Sequence, residues 1–252
     1  MRLKPNNFTA SDIIVVLASG WRVFRAIPGA SMAFSVLFVV IGLILLGAIG
    51  KFGISPMALP FAGGFMLVGP VLLTGYLHLA NLHAAGRRPQ LMDAFVAFSH
   101  APLGLWLLAG LCAFLFLIWI TDAAVLYSFM IGGEYLPYDL PWLISLQRHV
   151  LAFELWGSLM GSVLAYIIFA ISAFSVPLLD ARRATLVQAV YASVRAILGN
   201  FVAALLWGLV LAGITLLAIM LLPLLVVVLP VLAYASHALY KKVFPLVEEE
   251  TG

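Results

Sequence analysis

The sequence predicts an all-α polytopic membrane protein, with six transmembrane helices as three hairpins, each preceded by an amphipathic helix on the cytoplasmic side. Three observations carry this prediction. Of 252 residues, 65% are hydrophobic and only 9% are charged, where soluble domains hold about 25% charged and about 45–50% apolar residues. With 10 acidic and 13 basic side chains the chain has too few solvated groups to cover a globular surface, so its solvent is mostly lipid. Residues 26–50, 52–86, 101–121, 155–179 and 196–240 carry no charge, and a spanning helix needs about 20 apolar residues to cross ~30 Å of hydrocarbon at ~1.5 Å per residue. The third observation is where the bases fall, taken up once the spans are placed.

The first span is expected over 28–50, after a polar N-terminus and an amphipathic stretch that holds Asp12, Arg22 and Arg25. No short hydrophobic core is followed by a small-residue cleavage site, so a cleavable signal peptide is not expected. The second and third spans fall at 57–79 and 102–128, and the fourth at 151–179. The charge-free interval 196–240 has 45 residues, about 68 Å if helical, which suits two spans joined by a turn. Pro223 marks that turn, giving spans at 199–220 and 224–242. The chain is then a single membrane domain: an amphipathic segment 1–27, a bundle 28–242, and an acidic tail 243–252 ending in Glu248, Glu249 and Glu250.

On this map Arg2, Lys4, Arg22, Arg25, Arg87, Arg88, Arg182, Arg183, Arg195, Lys241 and Lys242 share one side, against Lys51 and Arg148 on the other. Cytoplasmic loops are enriched in Lys and Arg, so both termini are expected in the cytoplasm. The pairs Arg87-Arg88, Arg182-Arg183 and Lys241-Lys242 would fix this topology and meet anionic lipid headgroups. Scattered bases give no clustered face for nucleic acid.

Internal repetition supports the hairpin layout. Arg25-Ala26-Ile27-Pro28-Gly29, His100-Ala101-Pro102 and Arg195-Ala196-Ile197-Leu198-Gly199 each end an amphipathic stretch before an odd-numbered span. Leu186, Val187, Val190, Tyr191 and Val194 recur at helical spacing in the third of these. Three such units of one orientation predict pseudo-threefold symmetry about the membrane normal. Pro70, Pro177 and Pro230 fall in the even spans and are expected to kink them. On the outer side Tyr135, Tyr138 and Trp142 suit a headgroup-level belt, with Trp119 and Trp156 near the same interface.

Chemistry is sparse. Asp122 and Glu154 lie at the same end of adjacent antiparallel spans, within reach of each other or of Arg148, and form the candidate polar membrane site. The more ordinary role for these residues is at a water-accessible interface. His78, His83 and His237 are candidates for a metal or haem, but the five-residue spacing of the first two puts them about 140° apart on a helix, and His237 has no histidine or carboxylate partner one turn away. No cofactor and no metal are therefore expected, and Cys112, the single cysteine, allows no intrachain disulfide. Gly157 and Gly161, with Ser158 and Ser162 at the same spacing, form a small-xxx-small pattern that lets helices approach closely, and Gly63 and Gly64 serve the same end.

The run Ser19-Gly20-Trp21-Arg22 to Pro28-Gly29, then Ala62-Gly63-Gly64-Phe65 to Val68-Gly69-Pro70, then Ser175-Val176-Pro177-Leu178-Leu179-Asp180, resembles a bacterial family of predicted integral membrane proteins of unknown function. The likeness extends over nearly the whole chain. Some relatives bear the label cytochrome c oxidase subunit I-like, yet five scattered histidines without a His-His pair do not build a haem–copper centre. The resemblance implies a six-helix inner-membrane protein with no catalytic residues to carry over. The leading expectation is a non-enzymatic accessory or structural component that contacts the lipid bilayer and packs against another membrane protein, a respiratory complex or a second copy. The rival expectation is a transporter or channel for a small or lipidic solute.

Overall fold

The computed structural model describes residues 4–63, 73–133 and 147–245. Among the described residues it holds no sheet, a helical run at 58–63 and the α-helices α1 (Ala10–Ala26), α2 (Pro28–Phe52), α3 (Thr74–Ala84), α4 (Leu91–Ser99), α5 (Leu103–Met130), α6 (Arg148–Ser172), α7 (Ser175–Asp180), α8 (Leu186–Gly199), α9 (Phe201–Met220) and α10 (Leu225–Val243). The segments Pro28–Phe52, Leu103–Met130, Arg148–Asp180, Phe201–Met220 and Leu222–Val243 are long and apolar enough to cross a membrane. The expected span 57–79 is helical at 58–63 and again from Thr74, and between these it runs through residues outside the described ones, Pro70 included. The belt residues Tyr135, Tyr138 and Trp142 and the glutamates of the tail also lie outside them.

The apolar helices are hydrophobic all round, as lipid-exposed helices are. On α2, Ser31, Phe34, Ser35 and Phe38 make a narrow buried stripe, while Val36, Leu37, Val40, Leu43 and Ile44 are exposed. Large apolar side chains exposed over whole helix faces are stable only against hydrocarbon. Helix α2 stops at Gly53, whose φ of 66° closes the last turn with a bond from its N–H to the Gly50 carbonyl.

Helices α1, α4 and α8 are the amphipathic stretches expected from the sequence, and each is followed by a long apolar helix. All three begin with a capping box: Thr9 N–H donates to Asp12 Oδ2 (2.8 Å), Gln90 N–H to Asp93 Oδ2 (2.7 Å) and Thr185 N–H to Gln188 Oε1 (3.1 Å). Such reciprocal caps satisfy free donors at the first turn and fix where the helix starts. Packing follows the same order. Helix α4 lies on α3, α8 on α6 and α7, and α1 lies on α10, which is far from it in sequence. The succession therefore closes on itself.

One end of the bundle is tied across the whole sequence. Asn6 N–H donates to the Val243 carbonyl (2.9 Å), Phe8 N–H to Asn200 Oδ1 (3.0 Å), and Lys242 Nζ to Asp12 Oδ1. At Gly20 a side chain would have no space: a Cβ there would stand 2.4 Å from the Val231 carbonyl oxygen and 2.7 Å from the Ala235 nitrogen. Backbones of α1 and α10 thus touch.

Candidate functional site

The carboxylates and the arginine singled out from the sequence are not brought together. On α5 the inward face runs through Trp119, Ala123 and Tyr127, which leaves Asp122 on the exposed flank. On α6 the inward face runs through Val150, Phe153 and Gly157, so Arg148 is exposed and Glu154 half-buried beside the stripe. None of the three has a hydrogen bond or ion pair among the described residues, where Lys242 with Asp12 is the ion pair.

The expected packing glycines differ sharply. A Cβ at Gly161 would stand 2.5 Å from the Trp119 ring, and one at Gly63 would stand 3.8 Å from Trp119 Nε1, which donates to the Pro60 carbonyl at 3.0 Å. Trp119 is therefore a buried wedge between α6 and residues 58–63, and its N–H finds its partner there. Trp156 is exposed. Gly157 has nothing within 4 Å of an added Cβ, and Gly64 lies outside the described residues.

The basic pairs also divide. Arg87, Arg88 and Lys241 are exposed and face no described partner, whereas Lys242 holds Asp12. Arg182 donates to the His100 carbonyl at 3.3 Å. Arg183 caps α10: Nη1 donates to Tyr240 Oη (3.1 Å) and to the Phe244 carbonyl (2.7 Å), and Nη2 donates to the Pro245 carbonyl (2.9 Å). A cation at the C-terminus of α10 meets free carbonyls and the negative end of the helix dipole.

An apolar concavity lies elsewhere. A cavity of about 320 Å³ opens between α6, α9 and α10, floored by Phe174, Val176 and Pro177 at the α6–α7 junction. Its walls are apolar, with Phe169, Leu205, Trp207, Ala212 and Leu232 among them, and among the described residues they include no Lys, Arg, Asp or Glu. Tyr166, whose Oη is buried without a hydrogen bond, belongs to the wall, as does His237, which is 7% exposed and stacks on Tyr240 with centroids 6.2 Å apart.

The junction that forms the floor has its own cause. Pro177 lacks an N–H and clashes with the carbonyl four residues back, and the helix breaks there, between Ser172 and Ser175. Ser193 of α8, fully buried, repairs the break: its Oγ accepts from Phe174 N–H (3.2 Å) and donates to the Ala170 carbonyl (2.7 Å). The expected kink at Pro177 thus supplies the cavity floor, while Pro230 sits inside the continuous helix α10. Tyr166, Ser193 and Trp207 were not singled out in the sequence, because their roles depend on helices far apart in the chain.

The all-helical bundle of apolar spans accords with what the sequence is similar to. Residues 58–180, just under half of the chain, match the model of the family described as Predicted integral membrane protein (DUF2189). The match runs from the helical turn after Met57 through α7, so the family segment supplies one wall and the floor of the cavity, and α9 and α10 complete it from outside the match. Of the runs that carry the resemblance, those at 62–70 and 175–180 fall inside the family segment and the run at 19–29 falls outside. No curated protein and no solved structure matches the chain.

Proposed function

We propose that this integral membrane protein is a non-catalytic component of the bacterial inner membrane, with both termini cytoplasmic, that holds an apolar or lipidic solute inside its bundle. The observation that carries the reading is the cavity of about 320 Å³ with apolar walls between the spans. Ligand sites in proteins are mostly apolar concavities with a few placed polar groups. The bias of eleven bases against two supports the orientation. Protein released in mild detergent should carry one lipid-sized adduct in native mass spectrometry, and Ala212→Phe, which fills the cavity, should lose it. An identical adduct pattern in both proteins would overturn the reading.

A second reading, an accessory component seated against another membrane protein, a respiratory complex or a second copy, rests on the large apolar side chains that α6 leaves exposed, Leu155, Leu159 and Val163. A stoichiometric partner captured with tagged protein, and lost when Leu155 and Leu159 become alanine, is its expected outcome.

A further inference from the structure

Three basic pairs close α3, α7 and α10, and the fold uses two of them internally. Arg182 donates to the His100 carbonyl, Arg183 to those of Phe244 and Pro245, and Lys242 Nζ to Asp12. Arg87 and Arg88, which follow α3, are exposed and have no hydrogen bond or ion pair from their side chains among the described residues. They also line a cleft. One side of it is the corner between α1 and α2, residues 26–30, and the other holds His83, Arg87 and Arg88. The cleft shares no residue with the apolar cavity.

The placement of this pair has a local cause. Helix α3 ends in the two bonds of a Schellman turn, Gly86 N–H to the His83 carbonyl (2.9 Å) and Arg87 N–H to the Leu82 carbonyl (3.0 Å), with Gly86 at a φ of 74°. The chain therefore turns at Gly86 and sets both arginines beside the α1–α2 corner. Among the described residues no Asp or Glu lines the cleft. Asp93, the acidic residue next along the chain, is committed to its own helix, where Oδ2 accepts from Gln90 N–H at 2.7 Å.

We infer that this cleft binds a phosphate group, carried by an anionic lipid headgroup or by a soluble phosphate. Adjacent guanidiniums without a counter-charge repel each other, and each offers five donors in a planar fork that matches phosphate oxygens. A phosphate presents its oxygens tetrahedrally, so forks approaching from two directions both find acceptors, whereas a carboxylate presents two oxygens in one plane. His83 adds a ring N–H to the same wall. The other two pairs cannot serve in this way, because their donors are already met by carbonyls and by Asp12.

Calorimetric titration of the full-length protein in a neutral maltoside detergent tests the assignment, with inorganic phosphate, dihexanoyl phosphatidylglycerol below its micelle-forming concentration, and acetate as probes. A phosphate probe should bind, and Arg87→Gln with Arg88→Gln should weaken it about tenfold or more, since charge-assisted bonds are the stronger kind. Arg22→Gln with Arg195→Gln removes the same charge from exposed positions outside the cleft and should weaken it about threefold at most, distant exposed charges being screened. Gly29→Glu leaves both arginines in place. An added Cβ there meets nothing within 4 Å, so its carboxylate competes for the cleft, and phosphate binding should fall further than in Gly29→Gln. Phosphatidylglycerol binding about tenfold tighter than inorganic phosphate identifies a lipid headgroup, and equal binding identifies a soluble phosphate; either supports the site. Binding of neither phosphate probe, acetate binding as tightly as phosphate, or equal losses in the two double variants would overturn it.

Discussion

Substituting Gly20 by alanine tests how the bundle is closed. The added Cβ would lie 2.4 Å from the Val231 carbonyl oxygen, 2.7 Å from the Ala235 nitrogen and 3.0 Å from the Ala235 Cβ. Unstrained contacts between such atoms need roughly 3.5 Å, so α1 and α10 must part by about 1 Å, and two of the three obstructing atoms are backbone that cannot rotate away. A gap of that size forfeits up to about half of each contact along the seam, and overpacked sites typically cost about 1–3 kcal/mol. Taking the upper end for a backbone clash, and setting against it about 1 kcal/mol of helix propensity gained by Gly→Ala, leaves a net loss of about 2 kcal/mol. Unfolding in mixed micelles with rising dodecyl sulfate fraction reads it directly. The same change at Gly161 presses on the Trp119 ring, which is pinned to Pro60, and should cost less than at Gly20; at Gly157, where nothing lies within 4 Å, it should cost nothing or stabilise slightly. Equal stability of Gly20→Ala and Gly157→Ala would refute the packing argument.

Other consequences follow from the tied end of the bundle. Arg183→Ala removes three charge-assisted bonds at the C-terminus of α10 and should lower stability by about 2 kcal/mol, and Arg183→Lys should recover little of it because the planar fork is lost; thermal unfolding in detergent measures both. Asp12 is held below its ordinary value of 3.8, first by its bond with Lys242 and next by the Thr9 N–H. A depressed carboxylate contributes stability that is present above 3.8 and is lost as pH falls through its lower folded value, so hydrogen exchange in α1 should accelerate below about pH 4, a dependence absent from Asp12→Asn. Within the core, Ser35 Oγ pairs with Tyr76 Oη at 2.8 Å, and Ser35→Ala should cost about 1–3 kcal/mol by orphaning the phenol, while the double variant with Tyr76→Phe should cost less than the single one; a double-mutant cycle in the same micelles decides this.

Much of this fold was legible because helix periodicity is local. The amphipathic stretches declare themselves through apolar residues one turn apart, and Thr9 with Asp12, Gln90 with Asp93 and Thr185 with Gln188 are caps readable three residues apart. The break at Pro177 was equally local, since it follows from a missing N–H. What the chain does not display is which distant surfaces meet. Gly20 reads as an ordinary small residue until Ala235 is placed against it, and Arg183 reads as a topology signal until the carbonyls of Phe244 and Pro245 arrive beside it. The cavity is the extreme case: Tyr166, Trp207 and His237 come from three helices, and each alone is a conventional membrane-span residue. Asp122, Glu154 and Arg148 drew notice because charge is conspicuous in an apolar sequence, yet their helix phases send them to separate faces.

The central claim is that lipid enters the bundle rather than only surrounding it. A long-chain alcohol carrying a terminal diazirine, incorporated into nanodiscs with the protein and photolysed, reports where hydrocarbon resides once the cross-linked peptides are sequenced. The account predicts cross-links concentrated on Leu205, Ala212 and Leu232 inside the cavity and suppressed there by Ala212→Phe. Cross-links confined to outward residues such as Leu43, Ile44 and Leu117, unchanged by that variant, would contradict it.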